Sequence, residues 1–418
     1  LPCFQNVQHE FDRVRLIAGD VSKPGLGLNA DDSAMLATSV THILSLAACI
    51  DFDLPIGTAA ISNTSSALSI LDLAKACDRL ESFVHCSTAY VMLPSKDNAP
   101  IFEEHVQTFS QGKASQVYDR ILQGISQEEE KSMLQESGYP NTYNYTKALT
   151  ETLLVERTGS VPLVIVRPSI VTACFQHPLP GWIDSKAALA AFLHTIPANA
   201  DVKLDVVPCD YVANRMIHGA FGRVDRSQAT KIIHATAGMQ HSMTVGEIVQ
   251  TFQEFFKPKS RRLQQRPFLR VMAESSDPRI AKSFAKDKRN VLALKYTAKL
   301  LRQKRVASSL DKVATALDKI QEVFSFFTHN NFNFQSEESI TDVMPCFEKR
   351  QFMDVTHMGI YHYLLGGKEQ PEETSCAKLR DNLSESEVTE TETVAEQDIV
   401  PATPSLRRKA TLPSFTHY

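Results

Sequence analysis

The sequence contains no uninterrupted run of about 18 apolar residues, so no transmembrane helix is expected within it. It also contains no Cys-x-x-Cys pair and no Cys/His cluster at metal-ligand spacing, and no metal site is expected. The eight cysteines (Cys3, Cys49, Cys77, Cys86, Cys174, Cys209, Cys346 and Cys376) are dispersed, and reduced thiols in a cytosol-facing compartment are the expected state. Neither sign of charge is in marked excess: a net charge of -4 presents no basic surface and argues against nucleic acid as a partner. The opening Leu1-Pro2-Cys3-Phe4-Gln5 has neither an initiator methionine nor the charged and apolar regions of a signal peptide. It reads as a cut end, with the chain beginning inside a domain. The last residues do not form a Ser-Lys-Leu type signal.

What is present describes a soluble globular protein, 43% apolar and 22% charged over 418 residues, long enough for two domains with ordinary cores. Short apolar, β-branched segments alternate with helical patterns through about residue 236, the signature of a doubly wound parallel sheet in an α/β, Rossmann-like fold. The candidate strands are Val14 to Ala18, His42 to Leu46, Phe83 to Cys86, Leu163 to Val166 and Lys231 to His234. Thr64 to Leu80 carries Leu68, Leu71 and Ala74 or Lys75 at helical spacing, and Tyr139 to Glu156 is a second helix. Asp210 is placed to cap a third, with Val212, Met216 and Ala220 on its buried side.

Beyond about residue 240 helices dominate. Thr244 and Glu247 have capping-box spacing, followed by Val245, Ile248, Val249, Phe252 and Phe256 on one face. Val306, Leu310, Val313, Leu317, Ile320 and Phe324 form a stripe that reads as one flank of a helical subdomain. Lys295, Lys299, Arg302, Lys304 and Arg305 precede it as a basic patch, read as a solvated face with a membrane-surface role as the lesser alternative. From about residue 369 the chain is rich in Glu, Thr, Ser and Pro and reads as a disordered tail. The arginines before Thr411 resemble a basophilic kinase site; mass spectrometry finding Ser405 and Thr411 always unmodified would remove that hypothesis. The expected organisation is 1–240, a dinucleotide-binding domain lacking its first strand and Gly-rich turn; 241–368, a smaller, mostly helical domain; and 369–418, the tail.

The chemistry is carried by Tyr143-Asn144-Tyr145-Thr146-Lys147. Tyr143 and Lys147 sit one turn apart on one helix face, and the ammonium can lower the phenol's pKa from about 10. Such a tyrosine can protonate a carbonyl oxygen as hydride arrives at the carbon. Tyr-x-x-x-Lys alone is compatible with an exposed helical pair. Its position between a strand ending in Ser87-Thr88 and one ending in Arg167-Pro168-Ser169 is the layout of an extended short-chain dehydrogenase.

Several stretches resemble the alcohol-forming fatty acyl-CoA reductases, also known for their male-sterility-protein domain. They are Ala18-Gly19-Asp20-Val21, Ala47-Ala48-Cys49-Ile50-Asp51-Phe52-Asp53, Ser87-Thr88-Ala89-Tyr90, Tyr139 through Glu151, Val166-Arg167-Pro168-Ser169, Pro180-Gly181-Trp182-Ile183-Asp184 and Asp205 through Asn214. Pro-Gly-Trp after Arg-Pro-Ser discriminates this family from other short-chain dehydrogenases. The resemblance covers roughly residues 10 to 236, with an echo of the family's C-terminal domain in Phe327 to Phe334 and Phe352 to Leu365.

The resemblance implies an NADPH-dependent oxidoreductase acting on a long-chain acyl-CoA and making a fatty alcohol via a bound aldehyde. It implies Tyr143 as general acid, Lys147 as its ribose-binding partner, Thr88 as the carbonyl-binding hydroxyl with Ser87 the adjacent alternative, and Pro168 and Ser169 bordering the nicotinamide. Asn63 would sustain a proton-relay water, a plain helix cap being the competing role. Asp20 would accept from the adenine amino group, Val21 pack on the ring, and Ala47 and Ala48 let the dinucleotide lie close to the backbone. His85 and Cys86 are read as core. The family's Gly-rich pyrophosphate turn has no counterpart here: Gly25-Leu26-Gly27-Leu28 follows Asp20 instead of joining a first strand to a helix.

The family also implies a lipid-facing address such as the endoplasmic reticulum or peroxisome surface, peripheral membrane association and compatibility with homo-oligomers. Two other readings stand beside it: a thioester reductase or other extended short-chain dehydrogenase with a different substrate, and a non-catalytic binding protein lacking its cofactor anchor.

Overall fold

The computed structural model describes residues 13–95, 97–109, 113–184, 199–222, 230–256 and 324–367. The described residues all fall within one compact unit, Leu1–Lys368. Residues 369–418 with Ser405 and Thr411, the basic patch at 295–305 and the 306–320 part of the apolar stripe lie outside the described residues.

Eight strands occur among the described residues: β1 (His42–Ser45), β2 (Ser82–Cys86), β3 (Leu163–Pro168), β4 (Ile170–Val171), β5 (Lys203–Leu204), β6 (Val206–Val207), β7 (Thr230–Ala235) and β8 (Met243–Thr244). The central sheet has the order β1-β2-β3-β7 and is parallel throughout, with Ile43 opposite Phe83, Phe83 opposite Leu163 and Val166 opposite Ile233. All six residues of β3 are buried, as a parallel strand covered on both faces requires. The expected strand at Val14 to Ala18 is not formed. That segment is irregular, with Leu16 85% exposed. A strand needs a neighbouring ladder for its backbone groups, and the outer edge of β1 carries none among the described residues.

Helix α1 (Ala30–Ser39) precedes β1, and α2 (Ile56–Ala59) runs through a π-helical turn at Ala60–Ser65 into α3 (Ser66–Ala76). The helix expected from Thr64 to Leu80 therefore starts earlier, carries a π turn at Asn63 and buries Leu68, Leu71 and Ala74, while Lys75 is exposed. Next come α4 (Lys113–Leu122), α5 (Gln127–Ser137) and α6 (Thr142–Arg157). Asn141 caps α6, its side chain accepting from the Asn144 amide at 2.9 Å, a satisfied first-turn donor. Leu71 of α3 and Leu149 and Leu153 of α6 pack with Phe83 and Ile165 in the main core, on one face of the sheet.

The other face is covered by α7 (Cys209–Phe221). A Cβ at Gly219 would meet Val164 Cγ1 at 3.1 Å, so this helix lies directly on the strands. Asp210 does not cap α7. Pro208 is the N-cap residue, and the Asp210 carboxylate accepts from the amides of Phe175, Gln176 and His177 at 2.8–2.9 Å. Three donors on a neighbouring turn outcompete the helix's own first-turn amides, a non-local choice invisible to spacing.

Thr244 and Glu247 do form the capping box of α8 (Val245–Phe256), through Glu247 N to Thr244 Oγ1 at 3.1 Å and Thr244 N to Glu247 Oε2 at 2.7 Å. Helix α9 (Lys349–Gly359) lies against α8, with His357 edge-on to Phe252 at 5.5 Å. Phe327, Phe332 and Phe334 surround the Tyr90 ring at centroid distances of 4.8, 4.9 and 5.6 Å. The C-terminal aromatic run thus closes over the end of β2.

Candidate active site

Three elements converge at the carboxyl ends of the central strands. Strand β2 leads into Ser87 and Thr88, β3 ends at Pro168 followed by Ser169, and α6 presents Tyr143 and Lys147 one turn apart. The Thr88 hydroxyl donates to the Pro168 carbonyl at 3.4 Å, joining two of these elements. The Lys147 ammonium donates to the Cys86 carbonyl at 2.8 Å, joining the third. Thr88, Tyr143 and Ser169 then line one cavity of about 370 Å³. The rest of its wall is largely apolar, with Phe52, Tyr90, Ile170, Trp182, Ile183 and Phe327.

Ser169 is oriented by the buried Asp205, accepting its hydroxyl at 2.5 Å and the amides of Ala237 and Gly238 at 2.8 Å. Behind the site Arg167, fully buried, makes three hydrogen bonds to Glu151 at 2.6–3.2 Å. This pair ties β3 to α6, and hence Ser169 to Tyr143.

The electrostatics correct one expectation. The Tyr143 phenol is pushed up from its ordinary pKa, chiefly by burial and then by the neighbouring Cys86. Lys147 is pushed down, again chiefly by burial. The ammonium is engaged by the Cys86 carbonyl and the cavity is apolar, so desolvation outweighs the expected lowering of the phenol. His85 is neutral in its core position, driven well down by burial and then by Lys147, and Cys86 is half-buried beside it.

Asn63 is neither a helix cap nor free. From the π turn its carbonyl accepts the Cys49 amide at 2.8 Å, while its amide donates to the Cys49 carbonyl at 3.2 Å and to Thr146 Oγ1 at 3.3 Å. It binds the loop after β1 to α6, in a π turn of the kind often found at functional sites. Ser87 does not line the cavity, but its buried hydroxyl lacks a partner among the described residues. Ala47 is exposed and Ala48 half-buried beyond β1. Asp20 lies in a separate turn, where its carboxylate accepts from Ser22 N at 3.0 Å and Ser22 Oγ at 2.6 Å. These bonds, with Lys23 at 3.5 Å, hold it below the usual carboxylate range. Val21 beside it is exposed.

Sequence reasoning assigned no role to Phe52, whose ring meets Tyr143 edge-on at 5.3 Å, or to Cys209 at the cavity wall. Both stood in family-like motifs, at Ala47 to Asp53 and Asp205 to Asn214, and were findable there.

The family model for male sterility proteins, an NAD-binding domain, matches residues 2–216. The chain belongs to the male sterility protein family. The matched span holds β1–β3, α6 and every candidate site residue. Among curated relatives, fatty acyl-CoA reductase 2 of Bos taurus is 28% identical over 268 residues, covering 61% of this chain and 51% of the relative. Fatty acyl-CoA reductase 2 of Homo sapiens is 26% identical over 387 residues, covering 86% and 71%. The chain spans about half the length of the first of these. The terminal R domain of a myxalamid PKS-NRPS pathway shares the fold, with a TM-score of 0.56 and 16% identity over 87% of this chain and 79% of that one.

Proposed function

We propose that this chain carries the reductase centre of an alcohol-forming fatty acyl-CoA reductase, using NADPH to reduce a long-chain acyl-CoA. The observation behind this reading is the single apolar cavity into which Thr88, Tyr143 and Ser169 all open. Its volume lies in the range of small-molecule sites, which run from about 300 to 1,000 Å³, and its apolar wall suits an alkyl chain.

The residues fit the nicotinamide half of the cofactor. The unpartnered Ser87 hydroxyl and the Lys147 ammonium lie at the end of β2, where dinucleotides meet such sheets. Asp20 and Val21 would hold the adenine side, the amino group competing with Ser22 for the carboxylate. The bound cofactor supplies hydride to the thioester carbon.

Burial keeps the Tyr143 phenol protonated at neutral pH, the state a general acid requires. Tyr143 gives its proton to the thioester oxygen and Thr88 hydrogen-bonds the same oxygen. The resulting hemithioacetal gives up its hydroxyl proton as the C–S bond breaks, coenzyme A leaves as the thiol, and the aldehyde stays against Thr88 and Tyr143. Once Tyr143 has regained a proton from solvent, the aldehyde would be reduced to the alcohol with a second equivalent of NADPH. Lys147 would hold the ribose and keep positive charge near the developing oxyanion. Ser169, set by Asp205, would border the nicotinamide.

The test is the intact natural protein with a long-chain acyl-CoA and either NADPH or NADH, with products identified by mass spectrometry. Fatty alcohol formed with NADPH supports the proposal; no turnover with either nucleotide refutes it. A second reading, a chain that binds acyl ligands without reducing them, goes with an outer edge of β1 that carries no partner strand among the described residues. Calorimetry showing acyl-CoA binding but no nucleotide binding would select that reading.

Attachment at the cytosolic face of the endoplasmic reticulum or peroxisome is proposed on family resemblance. No described helix is long and apolar enough to cross a membrane. Recovery in the supernatant after gentle lysis would count against attachment.

A further inference from the structure

Two neighbouring thiols, one of them at the cavity wall, have no part in the reduction described above. Cys209 is the first residue of α7, exposed and lining the cavity, while Cys174 is buried behind it. The Cys209 amide donates to the Ala173 carbonyl at 3.3 Å, which brings the start of α7 against the residue before Cys174, and the two thiols are hydrogen-bonded to each other. Cys174 also anchors the turn that carries Trp182: its amide donates to the Trp182 carbonyl at 3.0 Å, and its carbonyl accepts from Gly181 at 2.8 Å.

We propose that Cys174 and Cys209 are a peroxide-oxidised pair, closing to a disulfide that clamps the Cys174–Trp182 turn onto the start of α7 and stiffens that side of the cavity. The Cys174 thiol hydrogen-bonds Cys209 and lowers its pKa, against opposing effects of burial, Asp210 and Asp184. Cys209, exposed at the cavity wall, is the thiol that peroxide reaches, and the buried Cys174 is the resolving thiol. The Cys209 sulfur attacks the peroxide O–O bond, becoming a sulfenic acid as one water leaves. Cys174 sulfur then attacks the sulfenic sulfur, the S–S bond forms and a second water leaves. Two thiols are oxidised by two electrons while one hydrogen peroxide is reduced to two waters. The pair rests on the cavity wall and not on what fills the cavity, so it stands or falls apart from the reductase reading.

The experiment treats the full chain with hydrogen peroxide, then maps non-reduced peptides and follows the emission of Trp182, the single tryptophan. A Cys174–Cys209 cross-linked peptide, loss of two hydrogens' mass and a fall in emission, all reversed by dithiothreitol, are expected. Cys77→Ser, at a cysteine whose thiol lies 3.7 Å from the Leu36 carbonyl at the end of α1, should respond as the wild type does, and Cys209→Ser should not respond. Both cysteines staying reduced, Cys209 passing to sulfinic acid without a cross-link, or either one pairing elsewhere overturns the proposal. The wild-type peptide map decides this even if a serine variant fails to fold.

Discussion

The Lys147 ammonium donates to the Cys86 carbonyl at 2.8 Å, fixing a buried cation at the end of β2, two residues before Thr88. In the proposed reaction an ammonium so held would keep positive charge near the substrate oxygen. Lys147→Met should fill the same channel yet lower kcat and weaken NADPH binding, and it leaves a buried carbonyl unpaired at a cost of about 1–3 kcal/mol. Lys147→Arg should not rescue, because the planar guanidinium cannot occupy the ammonium's position. Wild-type kcat and nucleotide affinity in the methionine variant would remove Lys147 from the site.

Tyr143→Phe keeps the ring that meets Phe52 edge-on at 5.3 Å and removes only the proton donor. Alcohol formation should fall by about 10²–10⁴-fold, the usual worth of a general acid, with an unchanged melting temperature. Substantial retained turnover would sink the mechanism.

Arg167 and Glu151 are both buried and joined by three hydrogen bonds. Arg167→Met leaves a buried carboxylate alone and should cost about 3–5 kcal/mol in urea unfolding. Replacing both partners by methionine should recover much of that loss. A single variant as stable as wild type would mean that Glu151 finds another partner.

His234 and His357 are each pushed down from the ordinary histidine range to about 3, chiefly by burial. Between about pH 3 and 6.5 the unfolded chain therefore binds protons at these sites that the folded chain does not. Stability should rise with pH across that window and be lost as pH falls through it, by up to about 1.4 kcal/mol per pH unit per histidine. Denaturant midpoints at pH 7 and pH 5 check this, and His357→Gln should reduce the slope. Equal stability at the two pH values would contradict it.

Gly181 adopts φ +76°, and a Cβ there would lie 2.8 Å from the Val355 carbonyl oxygen. Gly181→Ala combines left-handed strain with a backbone clash against α9, and a loss of about 1–3 kcal/mol is expected from overpacking alone. Calorimetric unfolding measures it, and an unchanged melting temperature would mean that α9 moves freely away from the Pro-Gly-Trp turn.

The candidate site was legible because its key relations are local. Four-residue spacing puts Tyr143 and Lys147 on one face of α6, and Thr88 and Ser169 follow short apolar, β-branched runs that form buried strands. Other properties depend on partners distant in sequence. Val14 to Ala18 has a strand's composition and no ladder to join among the described residues; Asp210 has a cap's position and binds amides 33 to 35 residues away. Tyr143 has the spacing for a lowered pKa, and burial raises it instead. Sequence by itself determined the periodicity of the elements and which side chains share a helix face, because backbone geometry repeats every few residues. Only the tertiary structure decided which strands find ladders, which carboxylates find amides and how far each ionisable group is desolvated, because pairing and burial depend on packing between distant segments.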